Sequence, residues 1–280
     1  MKLCEYRKKT IEKLTCAGIE RPAYVVDMLL SKILNTTQAH LAAHAETEIQ
    51  QDKLYKIENA VKKRLERVPL SYILGEAEFY GYKIKVGQGC LIPRPETELL
   101  AEEMLKIAPQ NGFFADWCTG SGCIAIAILL ERPDLRCIAV DAIPEALAWA
   151  EKNRELYGLG SRLQLIQNSN PAELSYENSF DFIAANPPYI PEDEMTGLMK
   201  DVAVYEPETA LNGGKDGIEV YRLLFDTLPV FLKKNGYFGV ETAGNRQAEL
   251  LKQAAPAGLE LIKEVTDYSG MLRHLIWQKK

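Results

Sequence analysis

Apolar and polar positions alternate along this 280-residue chain in two different rhythms. Over residues 1–74 the apolar side chains recur at helical spacing, through Tyr6–Leu14, Tyr24–Leu34 and Leu54–Leu65. Pro22 stands where a helix begins, Thr36 and Thr37 can cap the next, and Pro69 closes the last. Helices this short hide their apolar stripes only against one another, so a small bundle is predicted. Residues 75–93 change character. Ala77–Tyr80 and Tyr82–Val86 flank Gly81, and the second run alternates, which predicts a β-hairpin joining two parts. Pro93-Arg94-Pro95-Glu96-Thr97-Glu98 then opens a helix, with proline early and acids in the first turn.

From residue 112 the rhythm becomes strand and helix in turn. Phe113–Cys118, Cys137–Asp141, Leu163–Gln167, Phe180–Ala185, Tyr237–Thr242 and Leu259–Val265 read as strands. Ile124–Glu131, Pro144–Tyr157, Gly217–Leu232 and Arg246–Ala255 read as helices. The alternation predicts a doubly wound, mostly parallel α/β sheet. Thr266–Gly270 is too short for a parallel crossover, so the last strand, Leu272–Gln278, should run antiparallel to its neighbour. The expected domains are 1–74, helical; 75–93, the hairpin linker; and 94–280, the α/β body.

Bulk composition narrows the setting. At 47% apolar and 26% charged residues, the chain is ordinary for a globular protein. No apolar run reaches membrane-spanning length, and Met1–Arg7 lacks the apolar stretch of a signal peptide. Six cysteines form neither a CxxC pair nor a metal-ligand spacing, and three histidines leave little scope for a metal. A cytoplasmic, metal-free monomer with no membrane association is expected. The charge is uneven: residues 1–74 carry 13 Lys+Arg against 9 Asp+Glu, and the rest 20 against 30. A body that acidic repels a phosphate backbone, which disfavours nucleic acid as the substrate.

The chemistry concentrates where strands end. Asn186-Pro187-Pro188-Tyr189 follows the apolar run Phe180–Ala185. Two acceptors there, the Asn186 side-chain carbonyl and the Pro187 backbone carbonyl, suit the two N–H donors of a flat –NH2 group. The prolines stiffen the turn, and Tyr189 offers a face for the planar group. Asp116-Trp117-Cys118-Thr119-Gly120-Ser121-Gly122 follows the first strand of the body and precedes its first helix, where glycines and free helix N–H groups let a ligand approach. Asp141 ends the next strand, placed either to bind both ribose hydroxyls or to cap the helix ahead of Pro144. All three features sit at the carboxyl ends of strands, where open α/β sheets bind ligands.

Those three motifs resemble the Rossmann-like S-adenosylmethionine-dependent methyltransferases that act on amino nitrogens. Pro69–Gly75, Phe79-Tyr80-Gly81, Ile92–Glu98 and Tyr205–Gly217 narrow the resemblance to the peptide chain release factor glutamine N5-methyltransferases, over almost the whole chain. The resemblance implies methyl transfer from S-adenosylmethionine to the glutamine of the Gly-Gly-Gln motif in release factors. It implies Asn186, Pro187 and Tyr189 at the reacting amide, with Pro188 and Phe79 also facing the substrate. It implies Asp116, Thr119, Gly120, Gly122, Asp141, Asn170 and Asn186 around the cofactor. Glu96 and Thr97 line the cofactor's methionine end or only cap a helix, and Phe79 and Tyr80 wall the pocket or form hairpin core. Two positions depart from the family pattern. Cys118 replaces a usual glycine, and Asn168-Ser169-Asn170-Pro171 replaces an acid followed by a bulky apolar residue. Asn170 can still hydrogen-bond adenine. The alternatives are a nucleic-acid amino-methyltransferase on adenine or guanine, a non-catalytic cofactor-binding scaffold, and a nicotinamide oxidoreductase.

Overall fold

Short amphipathic segments, a hairpin and a strand–helix alternation are all realised in the computed structural model, which describes residues 1–280. In chain order the elements are α1 (Leu3–Cys16), α2 (Pro22–Leu34), α3 (Gln38–Ala43), α4 (Gln51–Leu65), α5 (Leu70–Leu74), β1 (Glu76–Phe79) and β2 (Tyr82–Lys85). There follow α6 (Glu98–Ile107), β3 (Phe113–Trp117), α7 (Cys123–Glu131), β4 (Arg136–Asp141), α8 (Pro144–Leu156), β5 (Leu163–Gln167) and β6 (Phe180–Ala185). The chain ends with α9 (Lys200–Tyr205), α10 (Glu219–Thr227), β7 (Leu232–Glu241), α11 (Asn245–Ala254), β8 (Leu259–Thr266) and β9 (Leu272–Lys279).

Two compact units result. The first holds Met1–Gly75 together with α9. Its core is the joined apolar stripes: Leu14, Leu29, Leu30 and Ile57 are all fully buried. Thr37 caps α3 by accepting from the His40 N–H at 3.2 Å. α4 stops because Arg67 turns left-handed at φ 73°, and not because of Pro69, which is instead the N-cap of α5. Arg64 donates to Asp201 at 2.6 Å and the Tyr205 hydroxyl to the Glu66 carbonyl at 2.7 Å, so α9 belongs to this unit.

The second unit is Glu76–Met199 with Glu206–Lys280. β1 and β2 pair antiparallel, and a seven-stranded sheet runs in the order β5-β4-β3-β6-β7-β9-β8. β3 through β7 are parallel, while β9 is antiparallel to both β7 and β8. The order reverses beside β3, the crevice position at which such sheets bind ligands. Central strands read as unbroken apolar runs because both faces are covered: Phe182, Ile183, Ala184 and Ala185 are fully buried. One helix is shorter than its pattern predicts. α10 ends at Thr227, since Pro229 turns Leu228–Phe231 into a 3-10 segment, and β7 starts at Leu232. The hairpin is tied to the body by Asn153 of α8. Its Oδ1 accepts from the Lys85 N–H at 2.7 Å, and its Nδ2 donates to the Lys85 and Ser121 carbonyls at 2.9 and 3.0 Å.

Candidate active site

The turn after β3 is built on left-handed backbone. Cys118 and Gly120 both take φ 57°, and Gly122 takes φ 80° at the start of α7. A Cβ on Gly122 would lie 3.2 Å from Ile126 Cδ1, a side-chain tip able to give way, so that glycine is favoured mainly by conformation. Cys118 holds its left-handed conformation without that freedom, and burial pushes its thiol well above the ordinary range. Asp116 underpins the turn from behind. Its Oδ2 accepts from Thr119 Oγ1 at 2.6 Å and from the Ala125 N–H at 3.2 Å, and its Oδ1 is buried without a partner. Asp141 joins the turn to the end of β4. Its Oδ2 accepts from the Gly120 N–H at 2.8 Å and its Oδ1 from the Ile143 N–H at 3.0 Å. Asp141 is thus no cap for α8, whose N-cap is Ile143.

Burial lifts the Asp116 carboxyl from 3.8 to about 7, against the hydrogen bonds from Thr119 and Ala125, which favour its charged form. The folded chain therefore holds this proton more tightly than the unfolded chain does. The associated stability is complete below about pH 4 and is lost as pH rises toward 7. Urea titrations should show the unfolding free energy falling across that window, by at most about 1.4 kcal/mol per pH unit from one such group. Asp116→Asn should flatten the slope; an unchanged slope would exclude Asp116 as its source.

The turn after β3 and the end of β4 edge a cavity of about 550 Å³. Thr119, Gly120 and Asp141 line it, as do Thr97, Asn186 and Pro188. Asp116 and Gly122 do not reach it; they shape the turn that does. Pro187, between two lining residues in sequence, is itself buried and outside the lining. Phe79 does not reach it either, being fully buried in β1 with its side chain in the core. Glu96 lies in the 3-10 turn Pro95–Thr97 away from the lining, and only its neighbour Thr97 faces inward. Asn170 is likewise absent from the wall. Pro171 starts a 3-10 turn, and Asn170 Oδ1 is spent as its cap on the Ala172 N–H at 3.2 Å. Asn168 and Pro171 take that place in the lining, and Asn168 Oδ1 is buried without a partner.

Asn186 extends β6 at the level where Glu241 ends β7, since Ala185 pairs with Val240. Its Nδ2 donates to Thr97 Oγ1 at 3.3 Å, and Thr97 Oγ1 donates to Glu241 Oε2 at 2.6 Å. Tyr189 turns away from the cavity into a neighbouring groove, also lined by Lys215, Arg246 and Gln247. Its hydroxyl donates to Glu241 Oε1 at 3.4 Å; burial, reinforced by the Glu241 charge, keeps the phenol protonated.

Glu241 and Gln247 lie outside the expected set. Gln247 Nε2 donates to the carbonyls of Tyr189 and Gly217 at 2.9 and 2.8 Å, and so clamps the loop after Asn186. A buried Glu and Gln spaced six apart after a strand carry no recognisable spacing of their own, and only the register reveals them.

The segment 205–217 has a bracing role. The Ile190 N–H donates to the Leu211 carbonyl and the Gly213 N–H to the Ile190 carbonyl, both at 2.8 Å. A Cβ on Gly213 would lie 2.8 Å from Tyr189 Cα and 2.7 Å from the Gly217 carbonyl oxygen. Backbone cannot give way as a side-chain tip can. Gly213→Ala should therefore cost about 1–2 kcal/mol in stability, with a matching loss of activity, by chemical denaturation and initial rates. Wild-type stability and rate in that variant would show the brace to be slack. At its start, buried Glu206 accepts from Arg94 at 2.6 Å and from the Ile92 N–H at 3.1 Å, drawing the turn before α6 against Pro207 and Glu208 of the cavity wall.

Comparison with known proteins places the chain among relatives. Residues 5–75 match the PrmC N-terminal domain family, and residues 95–214 the methyltransferase small domain family. A release factor glutamine methyltransferase of Thermodesulfovibrio yellowstonii is 37% identical over 237 residues, 83% of this chain and 84% of that protein. Its counterpart in Chlorobaculum tepidum is 32% identical, covering 97% of this chain and 95% of that protein. Among solved structures, the ribosomal protein L11 methylase of Lactobacillus delbrueckii subsp. bulgaricus superposes with a TM-score of 0.51, at 21% identity, over 70% of this chain and 85% of that one. P. horikoshii TYW2 in complex with MeSAdo superposes at 0.52, with 13% identity, over 73% and 71% of the two chains. These two likenesses concern the fold, and they identify the mostly parallel sheet as a Rossmann-like methyltransferase sheet. At more than 30% identity over most of its length to such relatives, the chain belongs to the release factor glutamine methyltransferase family.

Proposed function

We propose that this protein transfers a methyl group from S-adenosylmethionine to the side-chain N5 of the glutamine in the Gly-Gly-Gln motif of peptide chain release factors. Support for the cofactor comes from the cavity itself. Asp141 offers a carboxylate at the end of β4, and Gly120 leaves open space where a side chain would intrude. Asn168 Oδ1 is a buried acceptor still in need of a donor. These groups fit the ribose, the methionine end and the adenine amino group of S-adenosylmethionine in turn. When bound, that cofactor supplies a methyl made electrophilic by its sulfonium.

The observation that carries the reading is the pair of acceptors at Asn186 and Pro187. Asn186 is tethered through Nδ2, which leaves Oδ1 for an incoming donor, and the Pro187 carbonyl accepts no hydrogen bond within the chain. A primary amide has two N–H donors for these two acceptors. Its nitrogen is a poor nucleophile because its lone pair is delocalised into the carbonyl. Hydrogen bonds from both N–H groups return electron density to nitrogen and hold the lone pair toward the cavity. Alignment and exclusion of water thus supply most of the rate. The methylated nitrogen is acidic enough to release its surplus proton without a dedicated base. Tyr189 lines the groove beside the cavity, and the glutamine is assigned to enter from that side.

The helical unit is assigned to gripping the folded substrate, and the acidic body to keeping nucleic acid out. No helix is long and apolar enough to cross a membrane. Action as a cytoplasmic monomer, without a metal, completes the proposal. Incubating the enzyme with S-adenosylmethionine and release factor, and locating the methyl by mass spectrometry, tests it. One methyl on the motif glutamine, and none after its replacement by glutamate, is the expected result. A methyl elsewhere in the factor, or only on ribosomal RNA or DNA controls, would refute it.

A further inference from the structure

An asparagine amide has two ends of nearly equal size and opposite hydrogen-bonding sense. Only one orientation of Asn186 presents an acceptor to a substrate amide; the other presents a second donor and repels it. Nothing in the residue's own shape chooses. The choice has to come from a neighbour whose polarity is settled.

We infer that Glu241 is a positioning residue that, through the Thr97 hydroxyl, sets which way round the Asn186 amide is held. The inference rests on the amide-methylating reading above. Thr97 Oγ1 has one proton and stands 2.6 Å from Glu241 Oε2 and 3.3 Å from Asn186 Nδ2. A carboxylate oxygen only accepts, so the hydroxyl proton goes to Glu241. Thr97 Oγ1 then has only lone pairs to show Asn186, and Asn186 has to answer with Nδ2. Its Oδ1 is thereby turned to the cavity, whichever way the amide would face alone.

The surroundings hold Glu241 in this part. It is 1% exposed and sits at the end of β7, level with Asn186. Its Oε1 receives the Tyr189 hydroxyl at 3.4 Å. On the opposite side its register partner in β9 is fully buried His274, whose Nε2 approaches Oε2 to 3.5 Å without a hydrogen bond and so only packs there. Thr97 is 2% exposed, so little of its surface is open to water. Glu241 and Thr97 touch no reacting atom in this scheme; their effect runs through Asn186.

Full-length Glu241→Gln, Thr97→Val and Thr97→Ser proteins test the inference. Valine keeps the shape of threonine without the hydroxyl, and glutamine keeps the shape of Glu241 but can face Thr97 with either end. Single-turnover methylation of release factor should fall at least 30-fold in Glu241→Gln and in Thr97→Val. S-adenosylmethionine affinity of Glu241→Gln, whose altered side chain lies outside the cavity lining, should stay within threefold by calorimetry, which also reports on folding. Thr97→Ser should recover at least tenfold of the rate lost in Thr97→Val. The side-chain amide resonances of Asn186 in 15N-labelled protein, assigned by their absence from Asn186→Ala, should shift in Thr97→Val and in Glu241→Gln. Rates within threefold of wild type, rate and cofactor affinity lost in parallel, no recovery with serine, or unmoved resonances would each overturn the inference. Should the wild type leave release factor unmethylated, the substrate reading fails separately, and the resonances still decide the orientation of Asn186.

Discussion

Asn186→Ala is expected to slow methyl transfer by about 30- to 1000-fold, equivalent to about 2–4 kcal/mol of transition-state stabilisation, while the protein remains folded. The side chain lost is small and partly exposed at a cavity rim, so little packing goes with it. What goes is an acceptor aimed at an N–H that becomes more acidic as the nitrogen bonds to carbon. Such a hydrogen bond strengthens toward the transition state, so its removal lowers kcat more than it weakens binding. Single-turnover rates separate chemistry from product release. A rate within threefold of wild type would remove Asn186 from the reacting amide. In the same variant Thr97 Oγ1 loses its Nδ2 partner, but its short bond to Glu241 remains, and the 3-10 turn before α6 should be undisturbed.

Asp141→Ala should weaken S-adenosylmethionine binding by about 1.5–3 kcal/mol, or about 10- to 150-fold, measured by calorimetry. Two effects contribute. The carboxylate is the charged acceptor available to the ribose hydroxyls, and it also pins the Gly120 and Ile143 N–H groups. A cofactor analogue lacking both ribose hydroxyls tells them apart. It should bind the wild type weakly and lose little more on the variant if the ribose contact dominates. Unchanged affinity for S-adenosylmethionine itself would leave Asp141 as a purely structural brace. Burial raises the Asp141 carboxyl, opposed by its hydrogen bonds from Ile143, Gly120 and Ala142. Affinity should accordingly decline on mild acidification, as its charged form is titrated away.

Much of this architecture is legible in the chain because the period of the apolar pattern follows directly from backbone geometry. β5 and β6 span the same residues that read as strands in the sequence, and the five-residue link Asp267–Met271 leaves β8 and β9 only an antiparallel pairing. The helix that ends early, α10, fails by one local rule overlooked: Pro229 interrupts a pattern that is otherwise helical. α9 escapes notice because six residues with no buried side chain give no apolar period; it is held by Arg64 and the Glu66 carbonyl.

The site divides along the same line. Asn186-Pro187-Pro188-Tyr189, the glycine turn and Asp141 announce themselves, since their residue types are chosen by local chemistry at strand ends. Asn170 illustrates the limit. Two positions earlier, Asn168 has the same side chain, and only the 3-10 turn begun by Pro171 decides which of them faces the cavity. Thr97, Glu241 and His274 stand far apart in sequence, and Gln247 reaches Tyr189 across 58 positions. Strand order and register bring them together, through β6 beside β7 and β7 beside β9. The sequence by itself thus determined most of the elements and the fold class, because those depend on neighbours along the chain. Only the tertiary structure decided the polarity of the network that orients Asn186, because hydrogen-bond sense is passed between groups adjacent in space whose separation in sequence carries no pattern.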